Sequence, residues 1–374
     1  MEKDEIIVAI AFDLNFRHAA SIFSGMSDYL QEAHLDWRLM PLNFGFEAKL
    51  MELAASGKLT AAIGTFVSDG WVEGLINKGV TAINMFNFSK IKSIPNIVPD
   101  DFATGVAAAD HLLQQGLERF AFYGADGIHY TQLRAAGFAK GLGHRKLTTL
   151  QPSPSLKAEI EALCQDTQPI GFFCSNDFAA RELILIGKSL GLICGKDLLI
   201  VGVDDDPTES IFAGVEISSF KQPIRETGYV ALKALHELLR DGRLLSDPTL
   251  PMPKLIARES SLPTKSARIA QRAIKLIEEN IQNPTFEVGI LARTLGVSRR
   301  ALELNFQNEL KTSPYQLMSQ LRLAEAQRLL KATPLAIMEV GRLCGYVEQH
   351  HFSSWFKKQA GCSPKSYRAE NVAL

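Results

Sequence analysis

A short helical pattern occurs twice near the C-terminal end of the chain, between Phe286 and Arg368. The first copy reads LARTLGVSRRALELNF followed by TSPYQL, and the second reads VGRLCGYVEQHHFSSWF followed by CSPKSY. The equivalent positions are Leu291 and Val340, Gly296 and Gly345, Leu302 and Phe352, Phe306 and Phe356, and Pro314 and Pro364. Because both copies must form the same local structure, this repeat strongly limits the folds that the C-terminal region can adopt.

Each copy predicts two helices joined by a tight turn. Leu291 and Leu295 lie one helical turn apart, and Gly296 follows them where a left-handed residue ends a helix. Ser298 is placed to cap the next helix, in which apolar residues again recur one turn apart. The pattern predicts two helix-turn-helix units, and in DNA-binding proteins the second helix of such a unit lies in the major groove. A plain helical bundle with a duplicated hairpin is the alternative.

The charges are divided unevenly along the chain. From Lys265 to the end there are 16 Lys and Arg against 9 Glu and no Asp, a net charge of +7. The totals of 40 basic and 41 acidic residues leave residues 1–264 with 24 and 32, a net charge of −8. A basic region attached to an acidic body is typical of a domain that binds the phosphate backbone of nucleic acid. The charge distribution therefore favours DNA binding over a plain bundle.

Length and composition exclude several classes of protein. A chain of 374 residues is expected to form two or three domains. No apolar run approaches the ~20 residues of a membrane span, and the acidic start MEKDEIIVAI is unlike a signal peptide. The five widely spaced cysteines suit a reduced, cytoplasmic protein. His350 and His351 are adjacent on a predicted helix and point about 100° apart, so we expect no metal site and no cofactor.

Strand-like and helix-like segments alternate through the first 258 residues. The predicted strands are Ile6–Ala11, one around Trp37–Leu42, Ala61–Phe66, Thr81–Met85, Arg119–Tyr123, Ile170–Cys174, Leu198–Val203 and Leu255–Arg258. The predicted helices include Phe102–Gln115, Gln132–Gly141, Phe178–Leu190 and Ile224–Arg240. This alternation predicts parallel sheets covered by helices on both faces, divided into two Rossmann-like lobes. A cleft between the lobes is the natural small-molecule site.

Polar residues follow several of the predicted strands, at the sheet edge where such folds bind ligands. The candidates are Phe12, Asp13 and Arg17 after the first strand, Asn176 and Asp177 after Ile170–Cys174, Asp204 after Leu198–Val203, and Arg134 at the start of a helix. Asp, Asn and Arg side chains suit paired sugar hydroxyls, and an aromatic face suits the C–H surface of a sugar ring. On spacing alone, helix capping is the favoured explanation of Asp177 and Asp101, and core packing is the alternative for Phe12.

The sequence resembles two known families joined end to end. Residues 6–258 are similar to the periplasmic-binding-protein-like sensor domain of LacI-type regulators, through RAAGF, FCSNDFAA, VGVDDDP and QPIRETGYVA. Residues 267–370 resemble the AraC-type DNA-binding domain, with its paired helix-turn-helix units and closing GCSPKSYR. The order of the two is similar to that of the xylose operon regulators. The resemblance implies a two-lobed α/β sensor over residues 1–260, a linker over 261–266 and an all-α DNA-binding domain over 267–374.

The resemblance also implies roles at matching positions. Arg134, Asn176 and Asp204 match the residues that hold sugar hydroxyls in LacI-type sensors. Phe12 and Asp13 lie in the corresponding first-strand loop without matching a motif. The recognition-helix positions that face bases are Arg299, Arg300, Glu303 and Leu304 in the first unit, and Gln349, His350, Ser353 and Ser354 in the second. Lys357 is placed to contact phosphates, and a solvated helix face is the alternative for each of these residues.

Together these features predict a cytoplasmic transcription regulator and not an enzyme, and the resemblance implies a homodimer. We expect it to be an activator that binds an operator duplex, senses xylose or a related monosaccharide and has RNA polymerase as a further partner. One alternative is a sugar-acting enzyme with a DNA-binding tail, whose acid and base would come from Asp13, Asp177, Asp204 and Asp205. Another is a regulator that responds to a protein partner and binds no small molecule.

Overall fold

A computed structural model of the chain describes residues 5–12, 18–42, 45–166, 168–245, 248–263 and 265–372. The chain divides into two compact units, Met1–Leu262 and Pro263–Leu374. The predicted site residues Asp13 and Arg17 lie outside the described residues. Within the described ranges, no helix combines the length and the apolar character needed to cross a membrane.

The first lobe of the N-terminal unit is built on a five-stranded parallel sheet. Its strands are β1 Ile7–Ala11, β2 Arg38–Pro41, β3 Ala61–Gly64, β4 Thr81–Met85 and β5 Asn96–Ile97, and the helices between them are α1 Ala19–Glu32, α2 Phe46–Ala55 and α3 Asp69–Ile76. The spatial order is β2-β1-β3-β4-β5. Strands β1, β3 and β4 are apolar on both faces because separate clusters of helix side chains cover each face.

The second lobe is built on a six-stranded sheet. Its strands are β6 Arg119–Tyr123, β7 Leu147–Leu150, β8 Ile170–Cys174, β9 Leu198–Val203, β10 Ser218–Lys221 and β11 Lys254–Ile256. Its helices are α4 Asp101–Gln114, α5 His129–Leu142, α6 Leu156–Leu163, α7 Asp177–Ser189 and α8 Pro207–Ala213. The order is β11-β10-β9-β8-β6-β7, and only the β10–β11 pair is antiparallel among the described pairings. The predicted two-lobed α/β fold is confirmed.

The last helix of the N-terminal unit, α9 Ile224–Asp241, returns to the first lobe and packs on α1. The two helices touch through their backbones, because a Cβ atom on Gly25 would lie 1.8 Å from the carbonyl oxygen of Arg225. A Cβ atom on Gly228 would similarly lie 2.1 Å from the carbonyl oxygen of Ile22. Helices α4 and α5 of the second lobe cross through Gly105 in the same way. Each lobe therefore contains one helix pair that only glycine allows to approach so closely.

The chain crosses between the lobes repeatedly. It passes from the first lobe to the second between β5 and α4, returns between β10 and α9, and crosses again between α9 and β11. Neither lobe is therefore formed from one continuous segment. The connection between β10 and α9 lines the cleft at the carboxyl ends of β9 and β10.

The C-terminal unit is entirely helical. Its helices are α10 Lys265–Asn280, α11 Val288–Thr294, α12 Arg299–Leu310, α13 Pro314–Ala332, α14 Ile337–Leu343, α15 Gln349–Ala360 and α16 Pro364–Val372. Pairs α11–α12 and α14–α15 are the two predicted helix-turn-helix units, and α13 joins them. Helix α10 begins inside the segment 261–266 that we assigned to a linker, so its first turn takes up part of that segment.

Local signals in the sequence explain where these helices begin and end. The Ser298 hydroxyl accepts a hydrogen bond from the N–H group of Ala301 at 3.1 Å and caps α12. Ser313 and Gln316 form a capping box at the start of α13. The turn glycines Gly296 and Gly345 have φ values of 68° and 81°. Each helix-turn-helix unit has its own apolar core. Leu302 and Phe306 are buried at the centre of the first core, and Phe352 and Phe356 at the centre of the second.

Candidate functional site

A cavity of about 480 Å³ lies between the two lobes of the N-terminal unit. Its lining includes Asp204 and Asp205, which follow β9, and Lys221 and Gln222 at the end of β10. His18, which precedes α1, faces them from the first lobe. The cavity therefore lies at the carboxyl ends of the sheet strands, where parallel α/β folds bind ligands.

Arg134 is buried near this edge and is held rigidly. Its Nε and Nη2 atoms donate hydrogen bonds to Oδ1 of Asp101 at 2.8 and 2.7 Å, and its Nη1 atom donates to the carbonyl oxygen of Ser175. The guanidinium carbon lies 4.6 Å from the ring centre of Tyr130. Because Arg134 is only 6% exposed and Asp101 2%, the pair is a buried ion pair, in which each of the three guanidinium nitrogen atoms donates a hydrogen bond.

Asp101 was explained by helix capping in the sequence, but the structure gives it a different role. The residue that caps α4 is Asp100, whose carboxylate accepts a hydrogen bond from the N–H group of Ala103 at 2.8 Å. Asp101 instead orients Arg134 and accepts a hydrogen bond from Nδ2 of Asn87 at 2.7 Å. Since Asn87 belongs to the first lobe, Asp101 links Arg134 to both lobes.

The lobes also touch through their backbones beside this ion pair. The N–H group of Tyr130 donates to the carbonyl oxygen of Asn87 at 2.6 Å, and that of His129 donates to Phe88 at 3.0 Å. The rings of Phe88 and Tyr130 meet edge to face, with centres 5.4 Å apart. The amino end of α5, which carries Arg134, is therefore docked against the loop that follows β4.

Asn176 and Asp177 follow β8 and have distinct environments. Asn176 is the residue that caps α7, since its Oδ1 atom accepts a hydrogen bond from Ala179 N–H at 2.9 Å, and its side chain also bonds to Tyr130. Asp177 is 1% exposed, and its Oδ2 atom accepts a hydrogen bond from the N–H group of Asp206 at 2.8 Å. Burial, followed by the nearby carboxylate of Asp204, raises the pKa of Asp177 well above its ordinary value.

Two consecutive aspartates after β9 adopt a backbone conformation that is unusual for them. Asp204 has φ 113° and Asp205 has φ 54°. The N–H group of Asp205 donates to the Ser219 hydroxyl at 2.9 Å. The Oδ1 atom of Asp205 lies 2.6 Å from Nη2 of Arg258. Such conformations cost about 1–3 kcal/mol each and concentrate at functional sites. The turn therefore presents Asp204 to the cavity from a backbone that its surroundings hold in place.

Gln222 is a candidate that the sequence reasoning missed. It lines the cavity and is 6% exposed, and neither atom of its side-chain amide has a hydrogen-bond partner among the described residues. A buried polar group without a partner costs about 1–3 kcal/mol. Both amide atoms are buried, so a ligand hydroxyl in the cavity would satisfy this amide once the side chain turns toward it. The sequence signals were the position of Gln222 directly after β10, a strand that our reading of the sequence did not predict, and its place at the start of QPIRETGYVA, one of the stretches that resemble LacI-type sensors.

Phe12 lies away from the cleft surface. It is 4% exposed, belongs to the apolar core of the first lobe and packs against Phe23 with ring centres 5.8 Å apart. This placement fits the core-packing explanation of Phe12. The structure thus brings Arg134, Asn176 and Asp204 to one edge, adds Asp101 and Gln222, and places Asp177 beneath the turn.

The recognition helices α12 and α15 carry the predicted DNA-contacting residues on their outer faces. Exposed side chains are Arg299, Arg300, Glu303, Leu304, Gln349, His350, Ser354 and Lys357, whereas Ser353 is half-buried. Arg299 and Glu303 pair with each other, with Nε 3.0 Å from Oε1. Leu304 is 55% exposed, which suits contact with a thymine methyl group. The ring centres of His350 and His351 are 4.0 Å apart.

Arg322, on the connecting helix α13, joins the two helix-turn-helix units. Its Nε atom donates to the carbonyl oxygen of Ile281 at 3.1 Å and its Nη2 atom donates to that of Asn283 at 3.2 Å. Its guanidinium carbon lies 5.8 Å from the ring centre of Tyr346 in the second unit. Gly345 lies in the same contact, since a Cβ atom there would be 2.7 Å from the Ile281 carbonyl oxygen. This contact fixes one unit against the other.

Known protein families match segments of both the N-terminal and the C-terminal unit. Residues 109–261 match the family model for a periplasmic binding protein-like domain, and residues 291–370 match that for a helix-turn-helix domain. The xylose operon regulatory protein of Haemophilus influenzae is 25% identical over 385 residues, which cover 96% of this chain and 97% of that protein. The chain is a transcriptional regulator that is similar, over nearly its whole length, to the xylose operon regulators. Its relatives therefore share both units in the same order.

Solved structures support the same fold. A structure of the xylose-binding transcription activator xylR is 24% identical, covers 99% of this chain and 100% of that one, and has a TM-score of 0.59. A LacI family transcriptional regulator from Enterococcus faecium, with bound ribose, is 22% identical and has a TM-score of 0.54. The matched region covers 70% of this chain and 100% of the Enterococcus faecium chain, so the similarity is confined to the sensor fold.

Proposed function

We propose that this regulator is a sugar-responsive transcription activator of the cytoplasm, with no enzymatic activity, whose effector is D-xylose or a related monosaccharide. The observation that carries the proposal is the unsatisfied, buried amide of Gln222 in a cavity that also contains Asp204. Amide and carboxylate groups together recognise neighbouring hydroxyls, which a monosaccharide supplies. The similar regulators are named for xylose, which supports the same class of effector.

Arg134 is not among the residues that line the cavity, and it is proposed to reach the sugar from its place beside Ser175, at the carboxyl end of β8. Its position is set before the sugar arrives, because Asp101 and Ser175 already accept its hydrogen bonds. Preorganised side chains lose less conformational entropy when a ligand binds. The sugar would bind most tightly to the arrangement of lobes in which Arg134, Asp204 and Gln222 reach it together. The difference between its affinity for this arrangement and its affinity for other arrangements is what shifts the equilibrium between them.

The C-terminal unit is proposed to bind two successive major-groove segments of an operator duplex. The exposed faces of α12 and α15 carry the side chains that would contact bases, and α13 with Arg322 holds the two helices at a set spacing. Major grooves on one face of B-DNA recur about every 34 Å. Arg299 or Arg300 would contact guanine, Gln349 would contact adenine, and Lys357 would neutralise a phosphate.

A homodimer is proposed from an exposed apolar patch on the second lobe. Phe178, Ile211 and Phe212 are 56%, 76% and 58% exposed, and lie on α7 and α8. The guanidinium group of Arg181 lies over Phe178 and pairs with Glu209 at 3.0 Å. Exposed apolar patches of this kind mark association surfaces, and a twofold axis would let one patch cover its copy. RNA polymerase is the further partner that an activator requires.

The experiment that tests the effector is calorimetric titration of the full chain with pentoses and hexoses, beginning with D-xylose. One sugar of the panel should bind, and at 100 times its dissociation constant it should stabilise the sensor by about 2.7 kcal/mol. Gln222→Ala should weaken binding at least tenfold, whereas the exposed control Gln168→Ala should leave it unchanged. Binding that Gln222→Ala leaves intact would move the site elsewhere, and binding of no sugar would remove the sensor function.

A further inference from the structure

The N-terminal unit ends in a segment, Arg258–Leu262, that we name the terminal strap. Ser260 and Ser261 of the strap are fully buried. Their hydroxyls meet Ser218 on β10, because Ser260 Oγ accepts from the Ser218 N–H group at 2.8 Å and the Ser261 and Ser218 hydroxyls are 2.7 Å apart. His111 Nε2 lies 2.7 Å from the Ser261 hydroxyl. The strap is therefore fixed to the second lobe by a buried network of hydroxyl groups.

Arg258 at the start of the strap reaches the cavity edge. Its Nη2 atom lies 2.6 Å from Oδ1 of Asp205, and its Nη1 atom donates to the carbonyl oxygen of Ile217 at 2.8 Å. Its carboxylate neighbour Glu216 is farther away, with Oε2 3.9 Å from Nε. Asp205 is adjacent to Asp204, and both lie in the turn with positive φ. One side chain thus joins the strained turn in the cavity wall to the end of the unit.

The connection from the strap to the DNA-binding unit is short. Helix α10 begins at Lys265, so residues 262–264 separate it from the buried Ser261. An extended chain spans at most about 3.3–3.6 Å per residue. A displacement of the strap is therefore separated from the start of α10 by only three residues along the chain.

We propose that Arg258 is a positioning residue that couples occupancy of the cavity to the DNA-binding unit through the terminal strap. This inference rests on the proposed function in one respect, that the cavity binds a sugar. A sugar bonded to Asp204 sets the position of the Asp204–Asp205 turn, and with it the carboxylate that holds Arg258. Arginine suits this role because it stays charged and donates in a fixed planar geometry.

A purely structural role for Arg258 makes a different prediction. An ion pair that only fastens the strap would, when removed, lower the stability of the unit and leave the effect of sugar on DNA affinity unchanged. A coupling residue changes the ratio of the two DNA affinities, measured with and without sugar, since this ratio is the coupling itself. The ratio therefore separates the two roles.

The test uses the full chain and a duplex that the wild-type protein selects from a random-sequence pool. DNA dissociation constants are measured with and without saturating D-xylose, or another sugar that binds, for the wild type and for Arg258→Gln. The matched control is Arg119→Gln, because Arg119 is 26% exposed against 27% for Arg258 and also pairs with an aspartate, Asp166, at 3.7 Å. Arg119 begins β6, at the sheet end opposite the cavity.

We expect the wild type and Arg119→Gln to show a coupling factor within the usual range of about 5–150, and Arg258→Gln to show a factor below about 2. Arg258→Lys should restore part of it, because lysine keeps the charge that Asp205 requires. If Arg258→Gln fails to fold, Asp205→Asn removes the same ion pair with little change in shape and should give the same loss. A coupling factor that survives in folded Arg258→Gln or Asp205→Asn would overturn the inference, whereas a wild type that binds no sugar would overturn the proposed function first.

Discussion

The turn glycines of the two helix-turn-helix units are equivalent in sequence, yet substitution should affect them very differently. Gly296 and Gly345 both have positive φ, at 68° and 81°. A Cβ atom on Gly296 would meet no atom within 4 Å, whereas one on Gly345 would lie 2.7 Å from the Ile281 carbonyl oxygen and 3.0 Å from Nη2 of Arg322. The pair allows backbone strain to be separated from the packing of one unit on the other.

The expected magnitudes follow from these contacts. An alanine in the left-handed region costs about 1–2 kcal/mol, and this cost applies to both positions. Overpacking adds about 1–3 kcal/mol, and it applies only at Gly345, where the obstacle is a backbone carbonyl that cannot rotate away. Gly296→Ala should therefore lower the free energy of unfolding by about 1–2 kcal/mol and Gly345→Ala by about 2–5 kcal/mol.

Amide hydrogen exchange in the full chain measures both effects locally. In Gly345→Ala, exchange should accelerate in α14, in α15 and at the end of α10 around Ile281. The reason is that the added Cβ atom must displace the carbonyl group of Ile281. In Gly296→Ala the increase should be smaller and confined to α11 and α12. DNA affinity should fall more for Gly345→Ala, because the spacing of the two recognition helices depends on this contact.

Equal loss of protection in the two variants would refute this reasoning. It would mean that strain in the turn accounts for the whole effect and that the Gly345–Ile281–Arg322 contact contributes nothing to the arrangement of the units. An Arg322→Ala variant checks the same contact from the other side, since it removes the donors to Ile281 and Asn283 without straining the turn.

Three further predictions concern single ionisable groups. Because burial raises the pKa of Asp177, the native state binds its proton more tightly than the unfolded chain does, and the stability that this group contributes falls as pH rises from its ordinary pKa. The melting temperature of Asp177→Asn relative to the wild type should therefore rise as the pH increases above the ordinary aspartate pKa of about 4, and a difference that falls with pH would contradict the burial argument. Lys357→Ala should weaken binding to all duplexes and reduce the slope of log affinity against log salt by about 1. Arg300→Ala should instead cost about 1–3 kcal/mol on one preferred sequence and relax the preference at one base pair, so equal salt slopes for the two variants would show that Lys357 contacts no phosphate.

Segments whose structure depends on local signals were predictable from the sequence. The strands Ile170–Cys174 and Leu198–Val203 have the predicted bounds, because continuous apolar runs suit strands covered on both faces. The helix-turn-helix units were predictable because Gly296 and Ser298 act on neighbouring residues. Strand β10 was missed, since its serines look like a loop in the sequence. They are buried because the terminal strap supplies hydrogen-bond partners from about forty residues farther along the chain.

In the candidate site, too, features that depend on local signals were predictable and features that depend on distant contacts were not. Asn176 and Asp204 could be found because both follow predicted strands directly. The partnership of Arg134 with Asp101, and the isolation of the Gln222 amide, depend on how distant segments meet, and spacing along the chain carries no signal for either. The sequence also allowed Phe12 to face the cleft or the core, and only the packing against Phe23 decides between them.

The return of α9 to the first lobe has a consequence for how the protein is made. β1 leaves the ribosome early, but the apolar surface of α1 and β4 stays uncovered until residues 224–241 have been synthesised. Contacts between such distant segments slow folding and leave apolar surface open to aggregation. The helical C-terminal unit depends on nearby contacts and can fold as soon as it emerges. We therefore expect nascent chains that end before Ile224 to require chaperone protection, whereas the DNA-binding end does not.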